Sequence, residues 1–403
     1  MNELTGKFEE VEIALPRKVD QNVADDIEKE SVFVSPELDR ITVDPDLETA
    51  RLILKSPADV KQVVDKAKRY LDVMVKQISG FETKVFSETQ RRDSGEYVRD
   101  VSEKLVEKGW LFDYGKGQVA YSGPVLKLAQ LINRKAGELY AEAFGSTDGS
   151  FPALVDANTL QKCGYFDSHP NAVTLLGNMV EDFDAIEQFR VANSCSEGAV
   201  LPPQDHVHVD GMCLNPAACF PCYPTLAGKI YETGEAFTWL GRVFRYESRN
   251  INGLDRLYEF NVRELVFVGS EEYVVGCRAK ALPLIEQLAG YFDLDCRVQS
   301  ATDPFFATVS AAKKFFQAAE EVKNEIMIPV VDRQGKEKFL ACGSVNLHGN
   351  FFGKSFEISA GSGEPAHTGC VGLGIERWVL AAFTQHGFGE NRWPEDVRNE
   401  IFG

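Results

Sequence analysis

The stretch Arg242–Gly269, RVFRYESRNINGLDRLYEFNVRELVFVG, reads as two strands around a short charged loop. Period-two alternation puts Val243, Arg245 and Glu247 on one face of the first run. In the second run it puts Tyr258, Phe260, Val262, Glu264, Val266 and Val268 together. Each run therefore carries charge on a face otherwise suited to burial, and such a charge is costly unless a partner meets it. The loop SRNINGLD contains Asn252-Gly253, a common hairpin signal. Taken alone, the letters describe an antiparallel hairpin whose charges pair with each other.

A second segment changes the weight of that reading. In HTGCVGLGIERWVLAAF, His367–Phe383, the glycines Gly369, Gly372 and Gly374 lead into an apolar helix with Arg377 in its first turns. Glycine permits close backbone approach, and arginine is a fixed planar cation suited to phosphate oxygens. A glycine run before a helix is common, so this segment gains meaning from FRYE and RLYEF rather than from itself.

The chain has 403 residues and is 44% hydrophobic, enough for a large core and for two domains of unequal size. Residues 1–115 are charged and read as a largely helical accessory region; SPADVKQVVDKAKRYLDVMVKQISG carries Val60, Val63, Val64 and Ala67 at helical spacing. From 116 onward a helix, VLKLAQLINRKAGELYAEAF, is followed by many short strand-like runs with Gly and Pro between them. Against 43 basic side chains stand 61 acidic ones, a formal net charge of −18, which disfavours nucleic acid as the main partner. No run reaches the roughly 18 apolar residues of a membrane span, and the first residues lack signal-peptide order, so a cytoplasmic protein with no membrane partner is expected. Nine scattered cysteines suggest reduced thiols with room for a metal site rather than a disulfide framework.

The combination resembles the class II aminoacyl-tRNA synthetase catalytic domain. FRYE…RLYEF resembles that class's second motif, GLGIER its third, and the helix-then-strand segment near 125–166 its first, which lies at the dimer interface. FLACGSVNLHGNFFGKSFEI and CLNPAACFPCYP narrow the likeness to the seryl-synthetase-like branch, above all the amino acid:[carrier protein] ligases. These share a catalytic core with methanogen-type seryl-tRNA synthetase and load a phosphopantetheine thiol. The resemblance implies an α+β fold over 116–403, an antiparallel sheet flanked by helices, assembled as a homodimer.

In that branch a catalytic zinc is held by Cys, Glu and Cys, and the matching positions here are Cys219, Glu264 and Cys370. Three ligands leave the fourth position of a catalytic zinc open, and an amino acid's amine can fill it if it binds deprotonated. By the same resemblance Arg245 contacts the α-phosphate of ATP, Glu247 the adenine amino group and Phe260 the adenine ring. Arg377 and Arg256 meet the terminal phosphates. Arg245 and Arg377 are thus the catalytic pair, and Asn346 and His348 fall at substrate-pocket positions. The seryl enzymes carry a magnesium-binding glutamate shortly before the Asn; this chain has FLACGSVN instead, which leaves Glu357 as the candidate for Mg2+. Two other metal patterns are present: Cys219 and Cys222 form a CxxC with no second pair, and His206, His208 and Asp210 of DHVHVD align on one strand face as a facial triad would. Cys213, Cys222 and Cys277 read as ordinary small buried residues.

The implied activity is ATP-dependent activation of a small amino acid as its adenylate, then transfer to the phosphopantetheine of a carrier protein. A seryl-type synthetase charging tRNA is the alternative, and an inactive paralogue serving as a binding module is the third. The acidic balance and the short N-terminal region favour a carrier protein over tRNA. AAKKFFQAAEEVKNEIMI, Ala311–Ile328, reads as a helix where the ligase branch docks its carrier, with Lys313 and Lys314 near its start as a basic patch. The letters do not name the amino acid.

Overall fold

A computed structural model describes residues 8–55, 59–75, 83–92, 95–301, 322–332 and 335–403. Near the N-terminus three strands, β1 (Phe8–Ala14), β2 (Leu38–Val43) and β3 (Thr49–Lys55), form an antiparallel sheet in the order β1-β3-β2. Two helices cover it, α1 (Gln21–Glu30) and α2 (Val60–Val75). Helix α2 buries Val63, Ala67, Leu71 and Met74, the stripe its helical spacing predicts. The strands answer with Leu52 and Leu54 at 0% exposure. Strand content is the difference from the largely helical region expected here: the runs VEIA and RLILK alternate with period two, and their branched side chains fit a half-buried sheet.

The large sheet has eight strands. These are β4 (Val85–Thr89), β5 (Thr147–Asp148), β6 (Glu235–Phe244), β7 (Glu259–Gly269), β8 (Cys296–Ser300), β9 (Lys323–Val331), β10 (Glu337–Gly349) and β11 (His367–Gly374), in the order β4-β8-β9-β10-β11-β7-β6-β5. All neighbours are antiparallel except β5 and β6. Its edge strand β4 comes from before residue 116, so the large sheet begins earlier in the chain than the change of sequence pattern suggested.

One face of this sheet is covered by α3 (Gly123–Phe144), α4 (Glu271–Tyr291) and α5 (Ile375–His386). Helix α3 starts at Ser122 with Pro124 in its first turn and stops at Gly145, whose φ of 59° suits glycine. Leu265, Phe267, Val371 and Leu373 point into that helical layer, each at 0% exposure, and burying each side chain is worth about 1.5–3 kcal/mol. The alternate residues, Glu264, Val266 and Cys370, face the other side, which carries the chemistry.

The stretch Ala311–Ile328 is not a single helix. Ala311–Glu321, with Lys313 and Lys314, lies outside the described residues, and from Lys323 the chain is strand β9. Ile326, Ile328 and Val330 alternate into the helical layer, a period-two pattern that dominates over the charged residues before it. Among the described residues no helix is long and apolar enough to cross a membrane.

Candidate metal and nucleotide site

Strand register assembles the site. Across neighbouring strands Trp239, Glu264, Gly372, Ser344 and Glu325 form one row; Phe237, Val266, Cys370, Asn346 and Lys323 form the next. Glu264 and Cys370 thus stand on adjacent rows of adjacent strands. Cys219 arrives from a loop pinned to the end of β6: the Phe244 N–H donates to the Asn215 carbonyl at 2.8 Å, and Arg245 Nε donates to the Pro216 carbonyl at 3.0 Å.

The ligand atoms of Cys219, Glu264 and Cys370 all lie within 4.8 Å of one another, and all three residues are buried. Burial, then the neighbouring Cys370 sulfur, raises the Glu264 carboxyl well above the ordinary carboxylate range. The hydrogen bond with Cys219, then burial, does the same to the Cys370 thiol. For Cys219 that hydrogen bond favours the thiolate, but burial and Glu264 outweigh it and the thiol is raised too. Three groups that each ionise to an anion oppose one another's charge in this space; a divalent cation removes the conflict and holds all three deprotonated. Two thiolates and one carboxylate are a donor set that fits zinc. Gly372 makes room for the Glu264 carboxylate, since a Cβ there would lie 2.9 Å from Glu264 Oε2.

Cys222 stays out of this group, a buried thiol that burial pushes up to about 12. All nine cysteines are free thiols. His206, His208 and Asp210 form no ligand group among the described residues; Asp210 accepts from Asn178 Nδ2 and the Met212 N–H, both at 3.0 Å, a loop-shaping role.

Beyond the trio, Arg245, Glu247, Arg256 and Phe260 cluster at the loop end of the β6–β7 hairpin. The Arg245 guanidinium stands 5.6 Å from the Phe260 ring centroid, and Arg256 Nη1 is 3.0 Å from Glu247 Oε2. Arg377 reaches the same region from α5, donating through Nε to the Asp255 carbonyl and through Nη1 to the Ala341 carbonyl, both at 2.7 Å. Burial, and after it the positive charges of Arg256 and Arg245, pull Arg377 below its ordinary pKa, with Asp255 acting the other way. Arg377 thus lies close enough to Arg256 and Arg245 to feel their charge, an arrangement whose chemistry suits a polyanion. Behind Arg377, Glu376 anchors the helix start by accepting from the Asn261 N–H at 2.9 Å and Asn261 Nδ2 at 2.6 Å.

Asn346 and His348, the residues expected at the pocket, sit beside the trio. Asn346 Nδ2 donates to Ser344 Oγ at 2.9 Å and to Cys370 Sγ at 3.5 Å. His348 Nε2 lies 3.7 Å from Cys370 Sγ. Glu357 is not brought in: it is exposed after the short helix Phe351–Ser355, with φ of 57°, and no described contact joins it to the arginines or the trio. The acids and bases that sequence reading missed are Glu325 and Lys323, which share the rows of Glu264 and Cys370 and pair at 3.2 Å. Their signal was the alternation Lys323, Glu325, Met327 opposite Asn324, Ile326, Ile328, hidden by assigning the segment to a helix.

No protein-family model matches the chain. Amino acid–[acyl-carrier-protein] ligase 1 of Bradyrhizobium diazoefficiens is 34% identical over 287 residues, covering 69% of this chain and 82% of that protein. The type-2 serine–tRNA ligase of Methanopyrus kandleri is 26% identical over 315 residues, 75% of this chain and 60% of the relative. Among solved structures, M. kandleri SerRS in complex with A. aeolicus tRNASec matches 98% of this chain and 77% of that one, with a TM-score of 0.69 and 22% identity, a likeness of fold. The chain therefore belongs to the amino acid–[acyl-carrier-protein] ligase family, an enzyme of the ligase class built on the class II aminoacyl-tRNA synthetase catalytic fold.

Proposed function

We propose that this ligase activates a small amino acid with ATP as the aminoacyl-adenylate and transfers it to the phosphopantetheine thiol of a carrier protein. The observation that carries this reading is a buried Cys219–Glu264–Cys370 trio whose Glu264 feels the charge of Arg245, with Arg377 in turn feeling the charges of Arg256 and Arg245. The trio would hold Zn2+, which supplies a Lewis-acid seat for the substrate amine. Arg245, whose charge reaches Glu264, would orient the amino acid's carboxylate. One of its oxygens attacks the α-phosphorus of ATP, and pyrophosphate leaves.

Arg245 and Arg377, as the catalytic pair, stabilise charge on the α-phosphate and on the leaving group by fixed electrostatics. Arg256 exchanges its bond with Glu247 for the terminal phosphates, which frees Glu247 for the adenine amino group. Phe260, whose open face Arg245 now covers, stacks on adenine. Asn346 borders the substrate pocket. Magnesium would be met by an acid of the site face, and Glu325 fits that position better than Glu357 because its strand register faces the trio. In the segment near 125–166 the exposed side chains Leu126 and Leu154, at 38% and 42% exposure, support burial against a second copy, so a homodimer is part of the reading.

Amino-acid-dependent ATP–pyrophosphate exchange over a panel of amino acids tests the activation step and names the substrate. Thioester formation on a phosphopantetheinylated carrier, with tRNA as the competing acceptor, tests the second step. Efficient charging of tRNA in place of the carrier would overturn the choice of acceptor.

A further inference from the structure

We propose that His348 is a positioning residue for the metal ligand Cys370, donating Nε2–H to its sulfur, rather than a substrate contact. The inference rests on the reading that Cys219, Glu264 and Cys370 hold zinc. Three observations carry it.

First, both ring nitrogens already have protein partners. Nε2 faces Cys370 Sγ at 3.7 Å, while Nδ1 faces Thr368 Oγ1 at 3.1 Å and Tyr223 Oη at 3.3 Å. These partners choose the tautomer. A metal-bound thiolate only accepts, so the hydrogen must sit on Nε2; Nδ1 is then an acceptor, and either hydroxyl can donate to it. Second, the ring is locked. It stands edge-on to Phe352 with centroids 4.9 Å apart, and Phe352 in turn stacks on Tyr223 at 3.9 Å. Tyr223 and Thr368 are both fully buried, so the hydroxyls cannot be replaced by bulk water. Third, His348 is the extra residue of a β-bulge: Leu347 pairs with Gly369 and Gly349 with Thr368, and His348 is the bulged position between them. Bulges of this kind re-aim a side chain beside a functional site.

The consequence is an asymmetric pair of thiolates. Cys370 receives N–H groups from both His348 and Asn346, whereas no N–H group among the described residues is directed at the Cys219 sulfur. Charge on Cys370 is shared with two donors in a buried site, which stabilises the metal-bound anion and fixes its lone-pair direction.

The test compares wild type, His348→Ala and His348→Gln, reading zinc affinity by competition with a chromophoric chelator, the thiolate-to-cobalt charge-transfer band of the Co2+-substituted protein, and amino-acid KM against kcat. His348→Ala is expected to weaken zinc binding about 10- to 100-fold and to move the band, with His348→Gln, which keeps an N–H donor, closer to wild type. Unchanged zinc affinity and an unmoved band in His348→Ala, with only the amino-acid KM raised, would overturn the proposal and return His348 to the substrate. If His348→Ala does not fold, the Tyr223→Phe/Thr368→Val double variant decides: it must weaken zinc binding and shift the band, and no change in either refutes the role. A wild-type protein that binds no zinc would instead refute the metal reading itself.

Discussion

Gly372→Ala separates the metal site from the fold. An added Cβ would stand 2.9 Å from Glu264 Oε2 and 3.4 Å from Val262 Cγ1, and ordinary contact begins at 3.4 Å, so the carboxylate must retreat by about 0.5 Å. The atom that moves is the far end of a flexible side chain, and the backbone of β11 can stay in place. Lost unfolded-state freedom favours alanine by about 0.4–1 kcal/mol, so stability should change little. A metal site tolerates only about 0.2 Å in ligand position, so zinc affinity should fall roughly 10- to 100-fold, about 1.4–2.7 kcal/mol. Chelator competition measures the affinity, thermal melting with and without zinc measures the fold, and pyrophosphate exchange measures the consequence. Gly369→Ala is the control: its Cβ would meet Phe267 Cε2 at 2.2 Å and the Asn346 carbonyl at 2.8 Å, so it should damage the sheet itself. A Gly372→Ala protein with wild-type zinc affinity would refute the claim that the Glu264 carboxylate is a ligand.

Chelation should abolish pyrophosphate exchange while leaving far-ultraviolet circular dichroism unchanged, with activity restored by zinc, because the ligands come from three segments the sheet already holds; unfolding on chelation would make the metal structural. Cys219→Ala and Cys370→Ala should each reproduce the chelated state, as read by metal content and exchange. His386 is buried, with its Nε2 2.8 Å from the Phe292 carbonyl, and burial lowers its pKa below the usual 6.5. The unfolded chain then binds the proton more readily, so this residue's stabilisation is present above about pH 6.5 and is lost as pH falls toward the folded value. Denaturant melts of wild type and His386→Gln between pH 5 and 8 should show the variant losing that slope. Sedimentation at micromolar concentration should show a dimer, and Leu154→Arg should shift it toward monomer.

Much of this was legible because the informative strands alternate strictly. Glu264 on an apolar face was visible in the letters as an anomaly, and burial against two cysteines is its cause. What the letters could not show was register. Nothing in local sequence places Cys370 one row from Glu264, or Gly372 directly beside it; those neighbours depend on a pairing between strands some hundred residues apart, so only the family likeness brought the trio together beforehand. The glycines of HTGCVGLGIER show the same limit. Read locally, they make room for a ligand, whereas Gly369 admits the Phe267 ring and Gly372 admits the Glu264 carboxylate.

The misread segments fail for a related reason. Lysine and glutamate are good helix formers, so VKNEIMI and the β-strands near the N-terminus score as helix wherever charge is dense, yet in both the apolar residues keep period two. Tertiary pairing then decides, because a strand that buries Ile326, Ile328 and Val330 against a helical layer gains more than propensity can oppose. The charged residues between them are thereby turned to the opposite face. Lys323 and Glu325 are held on the rows of Cys370 and Glu264 by the same alternation that buries their neighbours, so the hydrophobic core and the site face have one cause.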